Sequence, residues 1–81
     1  MAGLNNQQTY QTPDTPLAAY LFVSGYELIS FERLDSRVYF IFPESKKLLK
    51  SVQKYESGAA TINVVAFFQA YRNLLHKVRS I

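Results

Sequence analysis

The stretch "SRVYFIFPESKKLLKSV", residues 36–52, changes its hydrophobic period at Pro43, and that change constrains the fold more than any other feature. Up to Phe42 every second side chain falls on the same side, the period of a strand. Beyond Pro43, Leu48, Leu49, Val52 and Tyr55 fall on one side at helical spacing. Proline cannot donate to a strand ladder, so it closes the strand, and Ser45 is suited to cap the helix that follows, over about 46–56.

The segment before it, "ELISFERLDSRVYFIF", predicts a hairpin turning at Asp35-Ser36. A two-residue loop sets Arg33 opposite Val38, Phe31 opposite Phe40 and Ile29 opposite Phe42, a largely apolar face that must be covered. The other face carries Leu28, Ser30, Glu32, Leu34, Arg37, Tyr39 and Ile41 and is mixed. A slip of one residue would turn the phenylalanines to solvent, so the register is strongly specified.

Three helices provide the cover. The first begins at Pro16 with Thr15 as its cap, runs through "LAAYLFVSG" and stops at Gly25, where glycine adopts a left-handed conformation freely. It is apolar almost all round, so it is expected between other elements and not at the surface. The second, over 46–56, ends at Gly58. The last, capped by Asn63, repeats Val64, Phe68, Tyr71, Leu75 and Val78 at four, three, four and three, with Phe67 and Leu74 widening the apolar stripe. The expected fold is therefore α+β: a two-stranded antiparallel ribbon packed on three helices, in the order α-β-β-α-α. Residues 1–11, polar and without period, read as a flexible arm that Leu4 or Tyr10 could anchor; residues 12–81 read as one globular domain.

Eighty-one residues support only a small core, and the six phenylalanines and six tyrosines are how so short a chain assembles one. There is no cysteine, which removes disulfides, thiolate metal sites and cysteine nucleophiles together. The densest apolar run, "LAAYLFVSGY", is far shorter than the ~20 residues of a membrane span, and "MAGLNNQQTY" lacks the basic-then-apolar pattern of a secretory signal. No membrane association and a cytoplasmic location are the resulting expectations.

Enzymatic chemistry finds little support. His76 is the single histidine, and its helical neighbours Arg72, Lys77 and Arg79 repel a metal cation. The carboxylates Asp14, Glu27, Glu32, Asp35, Glu44 and Glu56 are scattered, and Gly3, Gly25 and Gly58 form no phosphate-cradling motif. The expectation is a non-enzymatic domain without a cofactor.

The charges say more. Net charge is +3, and it is unevenly spread: from Lys46 onward Glu56 is the only acidic side chain, against Lys46, Lys47, Lys50, Lys54, Arg72, Lys77 and Arg79. Lys46, Lys50 and Lys54 recur every four residues along the second helix. On the third, Gln69, Arg72, His76 and Arg79 form one line with Asn73 and Lys77 beside it, and Arg33 and Arg37 flank the hairpin tip. Such rows suit phosphates, so the leading expectation is an accessory module binding DNA or RNA backbone without sequence preference. Solvated helix faces carry lysines for solubility as well. The competing expectation is a protein-interaction module, a homodimer or a subunit of a larger host complex, docking through Leu28, Leu34, Tyr39 and Ile41 on the uncovered ribbon face.

Three patterns also resemble a known family: Thr12, Asp14 and Leu17 to Tyr20 before Gly25; Arg37, Val38, Phe40 and Phe42; and Phe67, Phe68, Arg72 and Leu75. Over residues 10–75 the chain is similar to a family of small uncharacterised domains from bacteria, cyanobacteria among them, and their phages. The resemblance implies a compact domain that stands alone; it carries no activity onto any residue.

Overall fold

The computed structural model describes residues 8–80. Its elements run β1 (Thr9–Thr12), α1 (Thr15–Val23), β2 (Ser30–Leu34), β3 (Arg37–Pro43), α2 (Lys46–Glu56) and α3 (Val64–Arg79). The sheet has three antiparallel-paired strands in the order β1-β3-β2. This corrects the two-stranded ribbon and the order α-β-β-α-α: a strand precedes the first helix, and the order is β-α-β-β-α-α. Both β1 and β2 run antiparallel to β3, so they are parallel to one another with β3 inserted between them and α1 as the crossover.

The hairpin forms with the register that a two-residue loop dictates. Phe31 pairs with Phe40, Arg33 with Val38 and Leu34 with Arg37. Asp35 takes φ 57°, the left-handed conformation such a tight turn demands and that aspartate tolerates better than most residues. On the other side of β3, Tyr10 pairs with Phe42 and Thr12 with Phe40. Glu44 N–H donates to the Gln8 carbonyl at 2.9 Å, whereas on the opposite flank Ile29 N–H donates to the Ile41 carbonyl at 2.8 Å. The backbone groups of β3 therefore turn alternately to β1 and β2, and Pro43 directs its missing N–H beyond Ser30, where β2 has not yet begun. Pro43 costs the sheet no hydrogen bond.

Thr9, Tyr10 and Gln11 thus belong to a strand, although their polarity reads as a loose arm. An edge strand wets one face, so Thr9 and Gln11 are exposed while Tyr10 is half-buried and Thr12 is buried. Leu4, the other suggested anchor, lies outside the described residues.

Phe40 and Phe42, both fully buried, form the floor of the core. Over them lie Leu17, Ala18, Ala19, Tyr20 and Leu21 of α1, Leu48 and Val52 of α2, and Ala70 and Leu74 of α3. Leu17 to Leu21 of α1 are all buried, as its apolar circumference requires, while Phe22 near its end stands 50% exposed. It packs against both α2 and α3, which scarcely touch each other. The cap of α1 is Asp14 and not Thr15: its Oδ1 accepts from Leu17 N–H at 3.1 Å, and Pro16 falls one place further into the first turn. Ser45 and Asn63 cap α2 and α3 as the sequence indicates, accepting from Leu48 N–H and Ala66 N–H.

The apolar stripe of α3 is rotated from the one read by spacing. Ala70 and Leu74 are buried, with Phe67, Tyr71 and Val78 packed beside them. Val64, Val65 and Phe68 stand 63%, 65% and 54% exposed. Ala70, a small residue in the buried line, lets α3 pack closely on α1.

Candidate nucleic-acid interface

On α2, Leu48 and Val52 point into the core, and with 100° per residue Lys46, Lys50 and Lys54 fall on the opposite side. All three are exposed, and successive members stand about 6 Å apart along the axis. Lys47 is exposed too but sits off this line, on the flank where Tyr26 meets the helix. There the Tyr26 hydroxyl lies 2.8 Å from Ser51 Oγ and donates to the Lys47 carbonyl at 3.1 Å, tying the segment after α1 to the side of α2.

On α3, Arg72, His76 and Arg79 fall opposite the Ala70–Leu74 line and are exposed, with Gln69 and Asn73 alongside; Lys77 is exposed but turned off the row. Arg72, Gln69 and Asn73 surround a shallow depression of about 360 Å³. A second depression, of about 370 Å³, is lined by Asp14, Thr15, Arg37, Val38 and Val78 among others. It brings Arg37 beside the last turn of α3, next to the segment that bears Lys77 and Arg79. Arg33, by its register opposite Val38, belongs to the other side of the hairpin from Arg37.

The two cationic rows are separate. Both their helices pack on α1 and scarcely touch each other; with packed helices 8–10 Å apart, the axes of α2 and α3 are up to about 16–20 Å apart. No Lys or Arg of α2 or α3 has a carboxylate within 4 Å among the described residues. Their charge is not neutralised internally.

The suggested protein-docking residues are distributed differently. Leu28 packs against the core cluster, Tyr39 is half-buried, and Ile41, flanked by Gln11 and Ser30, is buried. Leu34 alone stands well out, at 46%. The third strand also occupies the flank of β3, so the open edges of the sheet belong to β1 and β2.

Val64, Val65 and Phe68, together with Phe22, Ile29 and Leu49, are surface residues that sequence reasoning missed as such. On α3 the signal was the pair of doublets, Val64-Val65 and Phe67-Phe68: two adjacent helical positions are 100° apart, so a narrow buried line cannot take both members of each. Phe67 goes inward, stacked on Tyr71 at 6.1 Å with rings 4° apart, and its ring meets that of Phe68 at 65° with centroids 6.1 Å apart.

Few titrations are perturbed. Burial raises the Tyr10 phenol above its ordinary value, helped by the carboxylates of Glu56 and Asp14; burial and then Asp14 raise Tyr55. No group of three His, Asp or Glu side chains gathers among the described residues, and among them no helix is long and apolar enough to cross a membrane.

Fold and surface together define a small, cation-faced domain with a three-stranded sheet and three helices. Residues 7–80 match the family described as Domain of unknown function (DUF5659), and the chain belongs to that family. No curated protein and no solved structure matches it.

Proposed function

We propose that the domain is an accessory module that binds nucleic-acid backbone without sequence preference through its basic helical surface. Lys46, Lys47, Lys50 and Lys54 of α2 and Arg72, Lys77 and Arg79 of α3 would contact phosphates, with Arg33 and Arg37 of the hairpin in support. The observation that carries this reading is that all nine Lys and Arg side chains are exposed and those of α2 and α3 have no carboxylate within 4 Å among the described residues. An exposed cation keeps its attraction for phosphate and releases counterions when it binds one.

Anisotropy titration of labelled duplex and single-stranded oligonucleotides tests it. Four phosphate contacts lower duplex affinity on the order of 10²-fold between ~50 and ~200 mM salt. Glutamine at Lys46, Lys50 and Lys54 together reduces that dependence without unfolding the domain, and glutamine at Arg72 and Arg79 reports the α3 row separately. Absence of binding at ~50 mM salt, or affinity indifferent to salt, refutes the proposal. A dimer mass in solution under those conditions would favour a docking module instead.

A further inference from the structure

The outward face of α3 carries more than charge. Phe68 is 54% exposed and stands one turn from Arg72 on the same side of the helix. Its ring packs at a steep angle beside that of Phe67, so one side is braced by protein while the rest meets solvent. Beside it, Gln69, Arg72 and Asn73 line the depression of about 360 Å³. No hydrogen bond or ion pair engages any of those three side chains among the described residues. An exposed aromatic face, two unoccupied amides and a row of cations along about three helical turns are what an unpaired nucleotide requires: a surface to stack on, groups for a base edge, and a partner for phosphate. A duplex hides its base faces, so Phe68 has nothing to stack on there and only the cations are used.

Resting on the backbone-binding reading above, we propose that α3 is a single-strand-binding surface. On it an extruded base stacks on Phe68, Gln69 and Asn73 meet its edge, Arg72 holds a flanking phosphate, and Arg79 holds one farther along the strand. Stacking is indifferent to ionic strength whereas phosphate contacts are not, so the two roles separate experimentally.

The test is anisotropy with the whole chain and labelled oligo(dT) of about 12 nucleotides, within the range of small single-strand sites, against a duplex of equal phosphate number and against oligo(rU). Phe68→Ala and Phe68→Leu are both compared with Arg72→Gln; the leucine keeps apolar contact with Phe67 and lacks a π face. Phe68 is outside the core, so neither change should disturb the fold, which circular dichroism checks. The expected result is a loss of about 5- to 100-fold for single strands with both Phe68 variants, an unchanged salt slope, and an unchanged duplex affinity. Arg72→Gln lowers the slope by about 0.7 instead. Preference between oligo(dT) and oligo(rU) identifies the natural sugar. Single-strand affinity unchanged within about twofold in both Phe68 variants, while salt-dependent binding persists, overturns this inference and leaves the backbone reading intact. Absence of binding to every oligonucleotide overturns the backbone reading and this inference with it. Loss of self-association in Phe68→Ala, without loss of single-strand affinity, assigns the face to a protein contact and also overturns it.

Discussion

Removing β1 distinguishes a three-stranded sheet from a hairpin with a loose arm. In a chain of residues 13–81, Tyr10 no longer packs on the core and its partner Phe42 loses cover along one flank. A half-buried tyrosine is worth roughly 1–2 kcal/mol, part of the 1.5–3 for complete burial of a large side chain. Thr12 is buried, and its Oγ1 accepts from Asp14 N–H at 3.1 Å, a bond worth about 1 kcal/mol. The ladder between β1 and β3 adds a similar amount once the ordering of four residues is subtracted. The total, about 3 kcal/mol, is large against the ~4–12 kcal/mol expected for a domain of this length. The melting midpoint should fall by about 12–24 °C relative to a chain of residues 8–81. Thermal unfolding followed by circular dichroism measures it, with the longer piece as reference so that only β1 and the adjoining Gln8 differ. Freed of β1, the β3 edge also exposes unpaired backbone, so the shorter piece should self-associate as concentration rises. Coincident unfolding midpoints for the two pieces would refute the reasoning.

Three further outcomes are expected. Tyr26→Phe should cost about 1–2 kcal/mol, since one hydroxyl serves both Ser51 and the Lys47 carbonyl; adding Ser51→Ala should then cost little more, which a double-mutant cycle in urea reads out. Gly58 sits at φ +81° with open space where a Cβ would go, so Gly58→Ala should cost about 1–2 kcal/mol from backbone strain alone, and Gly58→Asn less. Stability should fall as pH rises past about 10, because Tyr10 and Tyr55 have phenol pKa values raised by folding: their contribution is complete below the unfolded pKa and is lost as pH climbs through the folded one. Denaturation midpoints between pH 8 and 11 should decline less in the Tyr10→Phe, Tyr55→Phe double variant.

Much of the architecture was legible because local chemistry and global fold agree on it. The Asp35-Ser36 turn, the pairing of Phe31 with Phe40, and the caps at Ser45 and Asn63 each follow from side chains acting within a few residues. β1 was not legible for the opposite reason. Four residues with one aromatic carry too little pattern, and what makes them a strand is an unpaired edge of β3 thirty positions away. The β-favouring Thr9, Tyr10 and Thr12 were the available hint. α3 failed at a finer level. Its helix, length and cap were readable, but several apolar lines compete on its surface, and packing against α1 selects the one that holds Ala70 and Leu74. For the interface, composition located the cations and spacing placed them on rows. The separation of those rows by α1 depends on helix packing, which no single segment encodes, and Phe68 joined the surface only through the rotation of α3.

The central strand of this sheet is the last of the three in the chain, and both its neighbours precede it. A polypeptide emerging from the ribosome therefore holds β1 and α1 without their template until residue 43 is free. During that interval Tyr10 and the all-apolar α1 have no floor to rest on. The hairpin closes across two residues, but seating β1 means bridging a loop of nearly thirty. The N-terminal edge is thus the last part of the sheet to be seated, and the point at which its birth is most exposed to misassembly.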